Sequence, residues 1–295
     1  MIFNAIRIER RVERANNSTF PASMTPRTFA PIELIRSLDN ATSRTVSYAP
    51  LLSAPPGIVM LVLENPVVHV WISDQKKSAH DLHSLTRVLN LEERQRADKF
   101  RFEADRVRYA FARSTLRRVL ARYINRSPEN IVFDTNCFGK LYIKDRENNG
   151  PLSFNLSHSG RLALIAVAWD RLVGVDIEEI RQIDNVHALA KEYFTIQEQR
   201  FLLAAALRSK VQEAFYACWT RKEAYIKAIG KGLSIPLTSF DTSLPAGTAG
   251  RPLNKSPDAP AVDTWWLSDL SVPDGYAAAL VTEGAMPVIL YQSLD

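Results

Sequence analysis

The sequence predicts an α+β protein made of two halves of similar make-up, and three observations lead there. Short β-branched or apolar runs read as strands at residues 67–72, 162–169, 172–177, 264–266 and 276–281. Helical periodicity fills residues 90–123, 195–207 and 211–229. The two kinds of element succeed one another as helix and hairpin, then hairpin, helices and strands, not as a regular βαβ alternation.

Residues 1–60 come first and break every periodic pattern. Asn16-Asn17-Ser18-Thr19, Pro21, Pro26, Pro31 and Ala54-Pro55-Pro56 punctuate them, so a loose N-terminal extension is expected there. An N-terminal α+β half is expected over 61–160 and a C-terminal half over 161–295. Asn90-Leu91-Glu92-Glu93 has capping-box form, with Asn90 as N-cap and Glu93 at N3. From there Phe100, Val107, Phe111, Leu116, Val119, Leu120 and Tyr123 recur at turn-like spacings, which predicts one helical stretch closed by Pro128. Ile131-Val132-Phe133 and Leu141-Tyr142-Ile143 flank a turn containing Gly139 and predict a hairpin. A second hairpin is expected where Asp170-Arg171 separates 162–169 from 172–177. Thr195-Ile196-Gln197-Glu198 is another capping box and starts a helix through Leu207. A further helix runs from Val211 to Ile229 and stops at Gly230.

Composition narrows the class. The 295 residues are 46% apolar and 23% charged, too apolar for a disordered chain. A net charge of +5 suits an acidic partner or a phosphate-bearing ligand without implying nucleic acid. Cys137 and Cys218 cannot make a disulfide framework and read as reduced thiols. The best apolar run, 57–63, stops at Glu64, far short of the roughly 20 residues of a membrane span. The first 15 residues mix arginines with Glu9 and Glu13 and have no apolar core, unlike a signal peptide. A cytoplasmic protein with no membrane contact is expected.

Four patterns could carry chemistry. In Gly174-Val175-Asp176-Ile177-Glu178 the alternation of a strand puts Asp176 and Glu178 on one side and Val175 and Ile177 on the other. Two such carboxylates raise one another's pKa unless a cation sits between them, and oxygen-only ligation suits Mg²⁺. The plain alternative is a strand end with two solvated acids. In Trp219-Thr220-Arg221-Lys222-Glu223-Ala224-Tyr225-Ile226-Lys227, Trp219, Glu223 and Lys227 share a helical stripe. Glu223 could face the acidic pair as a third carboxylate and Lys227 could touch phosphate; the alternative is a surface Glu–Lys pair beside a half-buried Trp. Phe154-Asn155-Leu156-Ser157-His158-Ser159-Gly160, read as a turn before a strand, offers the hydroxyls of Ser157 and Ser159 and the ring nitrogen of His158 to an anion. A Ser-His nucleophile is a poor rival, because neighbours in an extended segment point apart. Finally, Arg94, Arg96, Lys99, Arg101, Arg106, Arg108, Arg113, Arg117, Arg118, Arg122 and Lys140 form a basic array. It reads as a solvated helix face or, more sharply, a nucleic-acid-binding helix, although its aromatics lie on the apolar stripe and not on a stacking platform. His80 and His83 lack further ligands at zinc spacing, and no Gly-rich phosphate loop occurs.

Order and spacing tie these pieces together. Phe-Asn-Leu-Ser-His-Ser (154–159), Gly-Val-Asp-Ile-Glu (174–178), Phe-Thr-x-x-Glu (194–198) and Trp-Thr-Arg-Lys-Glu-Ala-x-x-Lys-Ala-x-Gly-x-Gly (219–232) occur in succession. Upstream lie Glu-Arg-x-Arg-Ala-x-x-Phe (93–100), Asp-Arg-x-Arg-Tyr (105–109) and Gly-Lys (139–140). From about residue 67 to 290 the chain resembles the 4′-phosphopantetheinyl transferases of the Sfp type. One departure is Leu141, where the family pattern has Pro after Gly-Lys.

The resemblance implies a monomer whose two α+β halves are related by a pseudo-twofold axis, with coenzyme A as co-substrate in the cleft between them. It implies Asp176, Glu178 and Glu223 as ligands of Mg²⁺, with Mn²⁺ as an alternative ion, and Lys227 on the phosphates. Ser157, His158, Lys140 and Arg108 would grip the phosphoadenosine end, and Arg94 and Arg96 fall where relatives carry basic residues. The implied reaction moves the 4′-phosphopantetheine arm of coenzyme A to a serine hydroxyl of an apo acyl or peptidyl carrier protein, releasing adenosine 3′,5′-bisphosphate. Metal bridging, charge neutralisation and positioning carry most of such a reaction, with Glu223 expected as the base. The family's acceptors are acidic around that serine, which the net positive charge suits. Fatty-acid, polyketide, peptide-synthetase and lysine-biosynthesis carriers all remain open, acceptor choice being assigned to a surface loop over 181–194. A basic nucleic-acid-binding or adaptor protein is the competing class; only the transferase needs Asp176, Glu178 and Glu223 to converge.

Overall fold

The computed structural model describes residues 61–294 apart from 62, 78–80, 145–150, 208, 244–249 and 254–263. The expectation for residues 1–60, and His80 of the histidine pair, lie outside the described residues. In chain order the elements are β1 (Val67–Asp74), α1 (Leu82–Arg87), α2 (Leu91–Asp98), α3 (Glu103–Ala121), β2 (Phe133–Thr135), β3 (Leu141–Ile143), β4 (Leu152–Ser159), β5 (Leu162–Trp169) and β6 (Val173–Glu179), then α4 (Val186–Tyr193), α5 (Ile196–Ala206), α6 (Val211–Ile229), β7 (Arg251–Leu253), β8 (Trp265–Asp269), β9 (Tyr276–Glu283) and β10 (Val288–Gln292).

Two four-stranded sheets, ordered β10-β1-β5-β4 and β6-β9-β8-β7, give each half its frame. Each half also has one 19-residue helix, α3 and α6. One face of the first sheet packs under α3, where Trp71, Ile165, Val167 and Phe154 meet Leu116, Val119 and Leu120. Its other face meets the second sheet, Val68, Val70, Leu164 and Ala166 burying against Val175, Ile177 and Leu280. Burial of these side chains supplies the main driving force for joining the halves.

Both capping boxes form. The Asn90 side chain accepts from the Glu93 amide at 2.8 Å and Glu93 Oε2 from the Asn90 amide at 3.0 Å. Thr195 and Glu198 do the same at 3.2 and 2.8 Å. Helix α6 has the expected limits, and Gly230 ends it at φ 77°, a left-handed conformation that glycine adopts without a Cβ clash.

Five expectations need correction. The single helical stretch over 90–123 is two helices, because Phe102 is extended at φ −105° and ψ 136°; Phe100 packs on Tyr109 across the break at 5.5 Å, which keeps the helical spacing in the sequence. The segment 154–159 is a strand, not a turn. The hairpin at Asp170-Arg171 does not form: Asp170 turns the chain at φ 51°, but both edges of β5 are already held by β1 and β4, so β6 crosses over and pairs with β9. The first half therefore runs past residue 160 to include β5, and β10 returns to it, pairing parallel with β1. The segment 181–194 is no plain loop, since it holds α4, which starts without a side-chain cap.

Candidate active site

Strand β6 sorts its side chains as alternation requires. Val175 and Ile177 are fully buried between the sheets, while Gly174, Asp176 and Glu178 face α6. A Cβ at Gly174 would lie 2.1 Å from the Ala224 carbonyl oxygen and 2.4 Å from the Ala228 amide nitrogen. Glycine here lets α6 settle directly onto β6. From Cys218 to Gly230 every residue of the helix region is buried except Glu223 and Lys227. Those two positions, one turn apart, open beside the acids of β6.

The Lys227 ammonium stands 2.5 Å from Asp176 Oδ1 and 3.3 Å from Ser157 Oγ. Burial works against its charge, but Asp176, Glu223 and Glu178 together hold its pKa above the ordinary lysine value. Three carboxylates thus act on one ammonium. Asp176 and Glu178 are 1% and 4% exposed, so the pair is not a solvated strand end. Burial, and then the neighbouring Asp176, push the Glu178 carboxyl up to about 7. Among the described residues no three His, Cys, Asp or Glu side chains are drawn together closely enough to enclose a metal ion. Asp176 Oδ2 is buried and has no hydrogen-bond partner there, an unmet acceptor of the kind a cation satisfies.

Ser157 is 1% exposed, and its hydroxyl donates to Asp176 Oδ1 at 2.8 Å while accepting from the Ile177 amide at 3.4 Å. Its oxygen is turned to the carboxylate cluster. The pKa of His158 falls to about 4 through burial first and then the positive charges of Lys227 and Arg108. The charges of Lys227 and Arg108 are thus felt at the neutral His158 ring, close to the acids of β6. Arg108 also pairs with Asp105 one turn earlier.

The remaining basic residues have other partners. Lys140 reaches from the β2–β3 turn to the end of α6 and donates to the Ala228 carbonyl at 2.7 Å and that of Val173 at 3.3 Å. Asn136 donates to the Gly230 carbonyl at 2.8 Å, so the turn covers carbonyls left open at the helix end. Arg94 donates to the carbonyls of Thr86, Leu89 and Arg87 at 2.9–3.1 Å. Arg96 lies over the Tyr109 ring at 5.8 Å. The basic array is not one solvated face: Arg117 is fully buried, paired with Glu93 at 2.7 Å and donating to the carbonyls of Pro128 and Ile131.

Other partnerships had no single sequence signal. Lys222, one residue before Glu223, is fully buried and pairs with Glu198 at 2.8 Å while donating to the carbonyls of Leu237 and Phe240. The capping-box role of Glu198 hid its second use. Arg221 makes a two-pronged pair with Asp269 at 2.7 and 2.5 Å. Trp219, one and two turns before Glu223 and Lys227 on the same stripe, is 2% exposed and stacks on Phe215, so it is a core residue and not a half-buried one.

Comparison with known proteins agrees with this arrangement of halves. Residues 74–170 match the family model described as 4′-phosphopantetheinyl transferase, N-terminal, and residues 172–281 match that of the 4′-phosphopantetheinyl transferase superfamily. The chain is 35% identical over 233 residues to the 4′-phosphopantetheinyl transferase HetI of Nostoc sp. (strain PCC 7120), covering 79% of this chain and 93% of that one. It is 36% identical to the 4′-phosphopantetheinyl transferase psf-1 of Bacillus pumilus, over 58% of this chain and 70% of the relative. The 4′-phosphopantetheinyl transferase Sfp of Bacillus subtilis is 32% identical over 58% of this chain and 73% of its own. With both halves matched in order and nearly the whole of one relative covered, the chain belongs to the 4′-phosphopantetheinyl transferase superfamily.

Proposed function

We propose that this protein transfers the 4′-phosphopantetheine arm of coenzyme A to a serine hydroxyl of an apo acyl or peptidyl carrier protein. The observation that carries the reading is the buried Asp176 paired with the Lys227 ammonium at 2.5 Å, with the charges of Glu223 and Glu178 acting on the same ammonium and those of Lys227 and Arg108 acting on His158. An anionic pyrophosphate would meet the Lys227 and Arg108 cations there, beside carboxylates of the kind that hold a divalent ion.

The carrier serine Oγ attacks the β-phosphorus, an Oγ–P bond forms, and the P–O bond to adenosine 3′,5′-bisphosphate breaks. Glu223, the one carboxylate of the three that is not buried, takes the serine proton, directly or through water. The Lys227 ammonium donates to phosphate oxygens, and His158 and Arg108 bind toward the phosphoadenosine end. Ser157, Lys140, Arg94 and Arg96 join that list by resemblance; in this conformation the donors of the first three are turned to protein partners and Arg96 lies over the Tyr109 ring. Asp176, Glu178 and Glu223 would hold Mg²⁺ or Mn²⁺, an all-oxygen set that fits such an ion and includes the unmet Asp176 Oδ2. When bound, the ion supplies charge neutralisation on the pyrophosphate. Positioning by the chain's own groups accounts for the rest.

The proposed acceptor is an acidic carrier protein, steered by the net charge of +5 and selected by the 181–194 segment with α4. The protein is taken to act as a cytoplasmic monomer; no helix among the described residues is long and apolar enough to cross a membrane. The test is the intact mass of apo carrier proteins after incubation with coenzyme A and Mg²⁺, with and without chelator. A gain of one phosphopantetheine, lost with chelator, is expected. No gain on several carriers, together with no binding of coenzyme A, would overturn the reading.

A further inference from the structure

Strand β4 is the edge of the first sheet and β6 the edge of the second. They lie side by side without a backbone ladder. Three side chains of β4 at alternate positions take its place, each on an alternate amide of β6. Asn155 Oδ1 accepts from Val175 N at 2.9 Å, Ser157 Oγ from Ile177 N at 3.4 Å, and Ser159 Oγ from Glu179 N at 3.1 Å. In a free edge these amides would be left to solvent; here the comb of β4 satisfies them.

The two serines do more than the asparagine. Each accepts from one amide and turns its own proton to the carboxylate of the preceding residue. Ser157 donates to Asp176 Oδ1 at 2.8 Å, and Ser159 donates to Glu178 Oε2 at 2.7 Å. One hydroxyl therefore fixes a backbone position and the carboxylate it carries, across the boundary between the halves. A buried carboxylate held on one oxygen has its rotamer set before any cation arrives, the arrangement by which outer groups orient metal ligands.

We propose that Ser159 is a positioning residue of the transferase: through its paired bonds to the Glu179 amide and the Glu178 carboxylate, it sets Glu178 for divalent-cation binding and ties that geometry to the packing of one half on the other. This rests on the reading of Asp176, Glu178 and Glu223 as the cation site. Asn155 is the built-in control, since its carbonyl holds the β6 backbone and no carboxylate.

The experiment is Mn²⁺ titration of the full chain with coenzyme A present, followed by the electron paramagnetic resonance signal of the free ion, beside thermal unfolding of each variant. Ser159→Ala weakens Mn²⁺ binding by about 10–100-fold, the usual cost of removing a group that orients a ligand. Ser159→Thr, which keeps the hydroxyl on a residue suited to a strand, restores it. Asn155→Ala lowers the unfolding temperature but leaves Mn²⁺ affinity within about twofold of wild type, far inside that range. If Ser159→Ala does not fold, Ser159→Cys, which keeps the volume with a weak donor, reads the same loss. Wild-type affinity in the folded Ser159 variant, with Asp176→Ala unable to bind, overturns the positioning role alone. Wild-type affinity in Asp176→Ala overturns the cation site beneath it. Equal losses in Asn155→Ala and Ser159→Ala would make the comb structural only and also overturn the proposal.

Discussion

The two long helices cover equivalent sheets, yet they treat buried charge in opposite ways. Under α3, Glu93 is matched by two guanidinium groups, Arg113 and Arg117, and Arg117 has further carbonyl partners. The Glu93 charge is thus matched within the fold, although Nη2 of Arg117 has no hydrogen-bond partner there. Under α6, the charges of Asp176, Glu223 and Glu178 all act on the Lys227 ammonium, and a buried oxygen of Asp176 goes without a hydrogen-bond partner. The C-terminal half also has a closed pair, Lys222 with Glu198, one residue away from the open cluster. Burial and charge therefore do not mark the site by themselves. The sign of the balance does: several acids converging on one lysine leave room for a cation that an acid met by two guanidinium groups does not.

The sharpest way to break this comparison is Asp176→Ala. Transfer, read from carrier mass, should fall by more than about a hundredfold, beyond the usual cost of losing a ligand's outer partner, with the fold retained by circular dichroism. Turnover at the wild-type rate would remove Asp176 from the site. Arg117→Met makes the reverse cut. It should cost about 3 kcal/mol in urea unfolding, the lower end for breaking a buried pair because Arg113 still faces Glu93, and leave turnover per folded molecule unchanged. Gly174→Ala acts on both properties, since the new methyl must push α6 off β6. A loss of about 1–3 kcal/mol is expected from overpacking, with a fall in turnover that Arg117→Met does not share.

The smallest effect is in acid. His158 stays neutral in the fold down to about 4, against an ordinary value of 6.5. Between those values the unfolded chain binds the proton first, so this stability is present above pH 6.5 and declines as the pH falls toward 4. Glu178 works the other way, its folded carboxyl holding a proton from about 7 downward. The informative quantity is therefore the difference in urea midpoint between wild type and His158→Gln, which should narrow as the pH is lowered.

Local features were the most legible in the sequence. Capping boxes at Asn90 and Thr195, the Gly230 stop and the alternation through 174–178 depend on neighbours within one or two turns, and all of them form. What escaped depends on distant partners. A turn at Asp170 was visible, but not that β1 and β4 would occupy both edges of β5. The polar alternation of Asn155, Ser157 and Ser159 looks like an exposed face until β6 is laid against it. Arg117 looks like every other arginine in its run until Glu93 is found 24 positions earlier. Within the candidate site, the acids and Lys227 could be named from spacing and resemblance, whereas the turning of Lys140 and Arg94 toward carbonyls could not.

The return of β10 bears on how the chain is made. Val67 meets Val288 and Trp71 meets Gln292, so the first sheet to be synthesised is the last to be finished. Until β10 leaves the ribosome, β1 shows an open edge, and closing so long a loop is slow compared with local helix formation. A chain halted after β9 would keep its family motifs and lose that cover, leaving β1 free to pair with another molecule. Strand β10, distant from every catalytic assignment, thus moves the sheet's open edge away from β1 and becomes that edge itself.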